Sequence, residues 1–468
     1  MTGLPELTKR SSFALAPDLL LTPKGAQPGM VLQVRDGAIS FVGFRTDFET
    51  QFRDTPVTDL PERAIVPGFI DAHTHLGQAF GKAITGGEPA QIWRRIWTPM
   101  EGSFDPETVY VSAKWMFLEA LRGGFTGIVN FAIQNEAKTE ALHRAATDVG
   151  IRLVSSTGAA LPVDGRELPG ACDIAKAIDS SLTRVEAHIA ACKDQPLITP
   201  SLCIPAVQGA PGELIRALSD YSAEKGVLFQ IHTNEHHVEV HWSVCTYGKR
   251  PLEYFAENGA VGPHTLHHHC TLVTDNEIEI LRETGSAVSY NPLASAWKGD
   301  RAAPALAFAA RGVRFGIGTD STRSDALRLL ETAETAQRFS QGMQNADFSC
   351  GAAWTWIDAA TRGSADVAGL GGVTGEIRVG RRADFLVLDR RQPEVNPSWD
   401  FEWELVRLYN RDQIEAVIID GRTVMEHSRP VGWDAEEFLK TNRDRAHDVV
   451  SAAPIVRCHG RSGDFRNR

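Results

Sequence analysis

Pro67-Gly68-Phe69-Ile70-Asp71-Ala72-His73-Thr74-His75 is an apolar run that stops at two histidines one residue apart, and the fold follows from how that run is read. In an extended chain, residues i and i+2 point the same way. His73 and His75 therefore aim two imidazoles at one point just beyond a strand end. Imidazole suits zinc, iron and related ions. Ile65, Val66, Phe69 and Ile70 are apolar on both faces, as a parallel strand inside a barrel requires. The plain alternative is a pair of strand-end histidines without a metal, so further ligands have to be sought elsewhere in the chain.

Downstream, strands and helices alternate, the signature of a parallel α/β architecture. Strand candidates follow at Gly124–Phe131, Ile151–Ala160, Leu197–Ala206, Val227–Glu235, His264–Leu272, Ala287–Leu293 and Arg314–Asp320. Between them, Glu107–Arg122, Glu136–Val149, Ala175–Ala191, Gly212–Lys225, Asp275–Glu283 and Ala303–Arg311 carry apolar residues at helical spacing. Eight such units predict a (β/α)8 barrel over 66–374, with its site at the C-terminal ends of the strands. Upstream, Val31–Val34 and Ile39–Val42 flank Asp36-Gly37, a hairpin signal. Similar β texture returns at Ala383–Asp389 and Glu415–Met425. We expect 1–65 and 375–430 to form one composite β-sandwich outside the barrel, and 431–468 to be a C-terminal helix and tail.

If chemistry sits at strand ends, polar residues should appear where each apolar run stops. The fifth strand ends in His232-Thr233-Asn234-Glu235, giving a third imidazole and a carboxylate three residues on. The eighth ends in Asp320, a fourth ligand candidate. On the sixth, in His267-His268-His269-Cys270, His269 lies furthest toward the rim and is assigned to the metal's water or to substrate. A lone strand-end histidine is commonly structural, and an aspartate after Gly-Thr can simply cap the next helix. Joint occurrence on strands one, five, six and eight favours a site. His237 and His241, four apart, lack a His-Glu-x-x-His frame and are expected to face solvent.

The chain has 468 residues, 43% hydrophobic, with a net charge of -11. That acidity argues against nucleic acid or an anionic membrane as partner; a small-molecule substrate is expected. Seven cysteines at 172, 192, 203, 245, 270, 350 and 458 lie singly, the usage of a reducing, cytoplasmic compartment. No signal peptide or membrane span is read. A homo-oligomer, dimer or larger, is the expected assembly.

The nine-residue run, His232-Thr233-Asn234-Glu235, His269-Cys270 with Thr274-Asp275, and Gly318-Thr319-Asp320 together resemble the amidohydrolase superfamily. More narrowly they resemble the cytosine deaminase-like branch that includes guanine, 8-oxoguanine and adenosylhomocysteine deaminases and the triazine hydrolases. The likeness spans about residues 15–430, including Gly375–Asp384. It implies one divalent metal per chain, zinc ahead of iron, held by His73, His75, His232 and Asp320. Binuclear relatives carry a modified lysine on strand four, and Leu197–Ala206 contains none. The implied reaction replaces an exocyclic amino group of a purine, pterin, pyrimidine or triazine by a carbonyl. Glu235 moves a proton from water to a ring nitrogen, His269 steadies the attacking oxygen, and Asp320 relays the second proton. Displacement of chloride or an alkylamine, opening of a cyclic amide, and a non-catalytic binding protein are the other readings.

Substrate contacts are less sharply marked. Gln78 is either a ring-facing amide or an ordinary loop residue. Trp93 and Trp97, four apart, either wall a pocket for a flat ring or pack a helix on the barrel. Tyr290 and Asn291 stand where relatives often have His-Cys, and Asp320-Ser321 stands where Asp-Gly is usual, so the familiar substrates do not carry over directly. Arg323, on the loop after strand eight, either binds a substrate carbonyl or carboxylate or pairs with Asp325.

Overall fold

A computed structural model describes residues 3–88, 92–132, 135–159, 171–208 and 210–458. Ala160, the Cys172 side chain and 459–468 of the expected tail lie outside the described residues. Eight parallel strands pair in chain order: β1 (Phe69–Thr74), β2 (Phe125–Asn130), β3 (Arg152–Gly158), β4 (Ile198–Ile204), β5 (Leu228–Thr233), β6 (Thr265–His269), β7 (Ala287–Tyr290) and β8 (Arg314–Ile317). Helices lie between them, so the expected (β/α)8 barrel is present. Helix Glu136–Val149 shows the local logic. The Asn135 side chain accepts the Lys138 N–H at its start, and Gly150 at φ +77° ends it.

β8 returns to β1 through a parallel bridge between Thr74 and Asp320. There the Asp320 N–H donates to the His73 carbonyl at 2.8 Å, and the Thr74 hydroxyl donates to the Asp320 carbonyl at 2.7 Å. Asp71 fastens this seam. Its carboxylate accepts the Thr319 N–H at 2.9 Å, the Thr319 hydroxyl at 2.5 Å and the His73 N–H at 3.2 Å. Burial pushes the Asp71 carboxyl up to about 7. Below the seam, Ile70, Ala72, Val129, Val154, Leu266 and Ala287 fill the barrel and pack on Ala365, Val367, Ala368 and Leu370. The interior is thus solid, and only the C-terminal rim is open to chemistry.

Most strands are shorter than the sequence reading by a few residues at their ends, and two differences bear on the site. The apolar run through Ile65 to Ile70 is two strands, Val57–Pro67 in an outer sheet and β1 in the barrel. They part at Gly68, where an added Cβ would meet the Thr126 side chain. The seventh strand stops at Tyr290, because Pro292 opens helix Pro292–Lys298 and proline suits a helix's first turn. His237 and His241 are exposed on helix His237–Tyr247.

The outer sheet has nine strands drawn from both ends of the chain. Val57–Pro67 pairs antiparallel with Phe385–Asp389, Ile65 opposite Val387. Leu15, Leu20, Leu32, Ile65, Phe385 and Ile418 belong to its own core. The hairpin turn holds Asp36 at φ +49° and Gly37 at φ +74°, as a two-residue turn between twisted strands needs. Arg152, at the start of β3, joins the two bodies through a buried ion pair with Asp384 and a 3.0 Å contact to Asp420. Among the described residues no helix is long and apolar enough to cross a membrane.

Candidate active site

Several strand-end residues adopt backbone conformations that non-glycine side chains seldom take. Asn234, His269, Cys270 and Asp320 have φ of +52°, +72°, +47° and +55°. Such strain persists where the surroundings over-determine it, commonly at functional sites. Here it turns each chain at the rim and brings Glu235, His269 and Asp320 within 4.8 Å of one another.

Four groups converge at the top of β1, β5 and β8. His73 is fully buried, and neither of its ring nitrogens has a hydrogen-bond partner. Its Nε2 lies 3.9 Å from Asp320 Oδ1, and His75 Nε2 lies 3.4 Å from the same oxygen. His75 Nδ1 faces the Phe131 carbonyl at 3.0 Å, and His232 Nδ1 faces the Pro205 carbonyl at 2.8 Å. A carbonyl can only accept, so both Nδ1 atoms carry a proton and it is Nε2 of each ring that is turned toward the site as the ligand atom. Burial, then the neighbouring imidazoles, holds His73 well below its usual range, and burial with His75 pulls His232 down to about 3. Neutral imidazoles with free lone pairs, an orphaned buried ring and a carboxylate suit a divalent metal. His73, His75 and Asp320 form one set of mutually close donors; His73, His232 and His269 form another.

On the cavity side lie the groups that handle protons. Asn291 Nδ2 donates to His269 Nδ1 at 3.2 Å. The His269 proton is therefore on Nε2, a buried donor without a partner, 3.6 Å from Glu235 Oε1 and 3.9 Å from Asp320 Oδ2. Burial lowers His269 to about 4, so the ring is neutral. Lys298 Nζ lies 2.5 Å from Glu235 Oε1 and 2.7 Å from Asp320 Oδ2. His236 Nε2 lies 3.1 Å from the same Glu235 oxygen, with its Nδ1 2.8 Å from Asp300. Burial alone would raise the Glu235 carboxyl, but His236, His269 and Lys298 hold it well below the carboxylate range. Burial would lower His236, yet Glu235 and Asp300 raise it to about 10. The Glu239 carboxylate accepts the N–H groups of Asn234 and Glu235 at 3.1 and 2.8 Å, fixing the turn that presents Glu235.

A cavity of about 520 Å³ opens from these groups and is walled by Gln78, Trp93, Trp97 and Phe131 among others. Trp93–Trp97 is a single π-helical turn, which sets both indoles toward the cavity. Gln78 is buried and accepts a hydrogen bond from the Ser321 hydroxyl. Three expected substrate residues lie elsewhere. Tyr290 points away from the barrel axis, where its hydroxyl donates to the Ala333 carbonyl at 3.3 Å, because on β7 it is Ser289 that faces inward to His268. Asn291 does not line the cavity and instead holds His269. Arg323 is exposed and off the cavity wall. Lys298, His236 and Glu101 belong to the cavity but had no sequence signal: none ends an apolar run or falls in a spaced motif. Glu101 is half-buried, with its Oε1 shielded from solvent and unpartnered.

The sequence matches the amidohydrolase family over residues 64–424. The 5-methylthioadenosine/S-adenosylhomocysteine deaminase of Syntrophobacter fumaroxidans is 28% identical over 448 residues, covering 94% of this chain and 99% of that protein. Among solved structures, an adenosine deaminase from Xanthomonas campestris with bound zinc has a TM-score of 0.81 at 22% identity, over 94% of this chain and 98% of that one. Atrazine chlorohydrolase from Arthrobacter aurescens TC1, complexed with zinc, gives 0.80 at 19% identity, over 94% of this chain and 100% of the other. These two structural likenesses extend through both the barrel and the outer sheet.

Proposed function

The chain belongs to the amidohydrolase family, and from that premise we propose that it is a metal-dependent aminohydrolase acting on an adenine-type purine, replacing the 6-amino group by a carbonyl. One observation carries this reading: Glu235, His269 and Asp320 meet beside three imidazoles at the floor of a cavity with flat aromatic walls. The deaminase name of the 28%-identical relative supports the purine. His73, His75, His232 and Asp320 would hold one divalent ion. Zinc is the proposed metal, as in the two structural neighbours. A homo-oligomer in the cytoplasm is the setting this reading carries, and the described cysteines are unpaired.

When bound, such an ion makes a water nucleophilic at neutral pH. Glu235 takes one proton of the attacking water and passes it to the ring nitrogen next to the reacting carbon. The His269 Nε2–H donates to the attacking oxygen as the carbon becomes tetrahedral, and Asn291 keeps that donor aimed. Asp320 passes the second proton to the amino nitrogen. The carbon–nitrogen bond then breaks, ammonia leaves and the carbonyl remains. Trp93, Trp97 and Phe131 would sandwich the purine, and Gln78 would face its edge.

Ammonia release is the test. Metal-loaded protein is offered 5′-methylthioadenosine, S-adenosylhomocysteine, adenosine, guanine, aminopterins, cytosine and aminotriazines. Release from the adenine nucleosides at the highest kcat/KM is expected. Release only from another ring would overturn the purine, and chloride release from chlorotriazines without ammonia would replace deamination altogether.

A further inference from the structure

The rim holds a cation that this reaction scheme does not use. Lys298 ends helix Pro292–Lys298 and reaches back over the rim, so that its Nζ bridges Glu235 Oε1 at 2.5 Å and Asp320 Oδ2 at 2.7 Å. The carboxylate of Asp320 is divided: Oδ1 faces His75 and His73, whereas Oδ2 faces Lys298. The ammonium therefore stands on the cavity side of Asp320, across that carboxylate from His73 and His75. His269 Nε2 faces the same two oxygens at 3.6 and 3.9 Å. Lys298 thus occupies the place where water and the leaving amine have to be handled.

Two carboxylate oxygens converging on one point make a site for a small cation with several N–H donors, Glu235 Oε1 being shared with His236 Nε2 at 3.1 Å and Asp320 Oδ2 relying on Lys298. Ammonia becomes such a cation once it takes a proton from solvent. Resting on the aminohydrolase reading, we propose that the space between Glu235 Oε1 and Asp320 Oδ2 is an ammonium subsite, and that Lys298 is a tethered competitor that refills it after the product ammonium has formed. A lysine suits the task because its ammonium sits on a flexible four-carbon stem. Its last helical position, followed at once by Gly299 at φ +72°, frees it from any following turn. Substrate entry requires the arm to withdraw, and its return excludes ammonium.

The experiment uses metal-loaded full-length protein, wild type and Lys298→Met, titrated calorimetrically with methylammonium chloride. Tetramethylammonium, which has no N–H, is the control. The variant should bind methylammonium at least about tenfold more tightly than wild type, ignore tetramethylammonium, and lose the gain when Glu235→Gln is added. Ammonium chloride should inhibit Lys298→Met at concentrations at least tenfold below those that inhibit wild type. If Lys298→Met does not fold, Lys298→Gln is used with the same expectations. Equal methylammonium affinity in variant and wild type, or equal binding of tetramethylammonium, overturns the subsite. Methylammonium binding in a protein that releases ammonia from no substrate would instead keep the subsite, remove Lys298's product-clearing role and reject the aminohydrolase reading.

Discussion

At the scale of single residues, environment sets what each carboxyl group does. Glu235 lies among His236, His269 and Lys298 and is held ionised, ready to accept a proton and, once protonated, to give it up. Glu235→Gln should retain metal and fold while turnover falls by at least about 10²-fold, measured by ammonia release alongside elemental analysis. Near-normal turnover would remove Glu235 from the mechanism. Glu239, only four residues away, behaves in the opposite sense, because burial raises its carboxyl to about 7. Folded protein then binds more protons than unfolded protein between its ordinary value of 4.5 and about 7, so stability falls as pH rises through that window. Glu239→Gln removes the titrating group while keeping an acceptor for only one of the two N–H groups, so the protein should be less stable overall and the fall shallower, read from urea midpoints at about pH 5 and about pH 7.5. An unchanged slope would show that Glu239 does not titrate there. His73, His75, His232, Glu235, His269 and Asp320 were legible because each ends an apolar run. Lys298 and His236 were not, since they enter the site from beyond the strands, on a helix end and a turn.

At the scale of elements, alternation along strands decides which residues reach the cavity. Reading β7 without its register put Tyr290 inside, although the inward position is Ser289 and the tyrosine packs outward toward Trp356. Similarly, the uninterrupted apolar run around Gly68 hid the passage from one sheet to another, because both of its halves are buried. The helices were the most legible elements: Glu136–Val149 and Gly212–Lys225 span the residues that periodicity and end signals predict. The ties between elements test the fold. Thr319→Val removes the hydroxyl that donates to buried Asp71 and should cost about 1–3 kcal/mol in chemical denaturation. Arg152→Met leaves Asp384 buried without its partner and should cost about 3–5 kcal/mol. Losses near zero would show that these contacts do not hold β8 to β1, or the barrel to the outer sheet.

For the whole molecule, the ligand set predicts about one divalent ion per chain by elemental analysis, and stripping it with a chelator should lower the melting temperature as well as abolish turnover. Two ions per chain, or unaltered melting and activity, would contradict the mononuclear site. Which ring enters the cavity was the least legible property in the sequence, because its walls come from a π-helical turn, loops and a helix end whose side chains meet only after folding. The seam adds a consequence for biosynthesis. Thr74 and Asp320 stand 246 residues apart in sequence, yet their pairing joins the first and last strands and sets the Asp320 carboxylate beside His73 and His75. A nascent chain on the ribosome therefore displays its histidines long before the carboxylate emerges. With the proposed ligand set, tight capture of a metal would wait until the eighth strand has been synthesised and docked, so that loading would report a completed barrel.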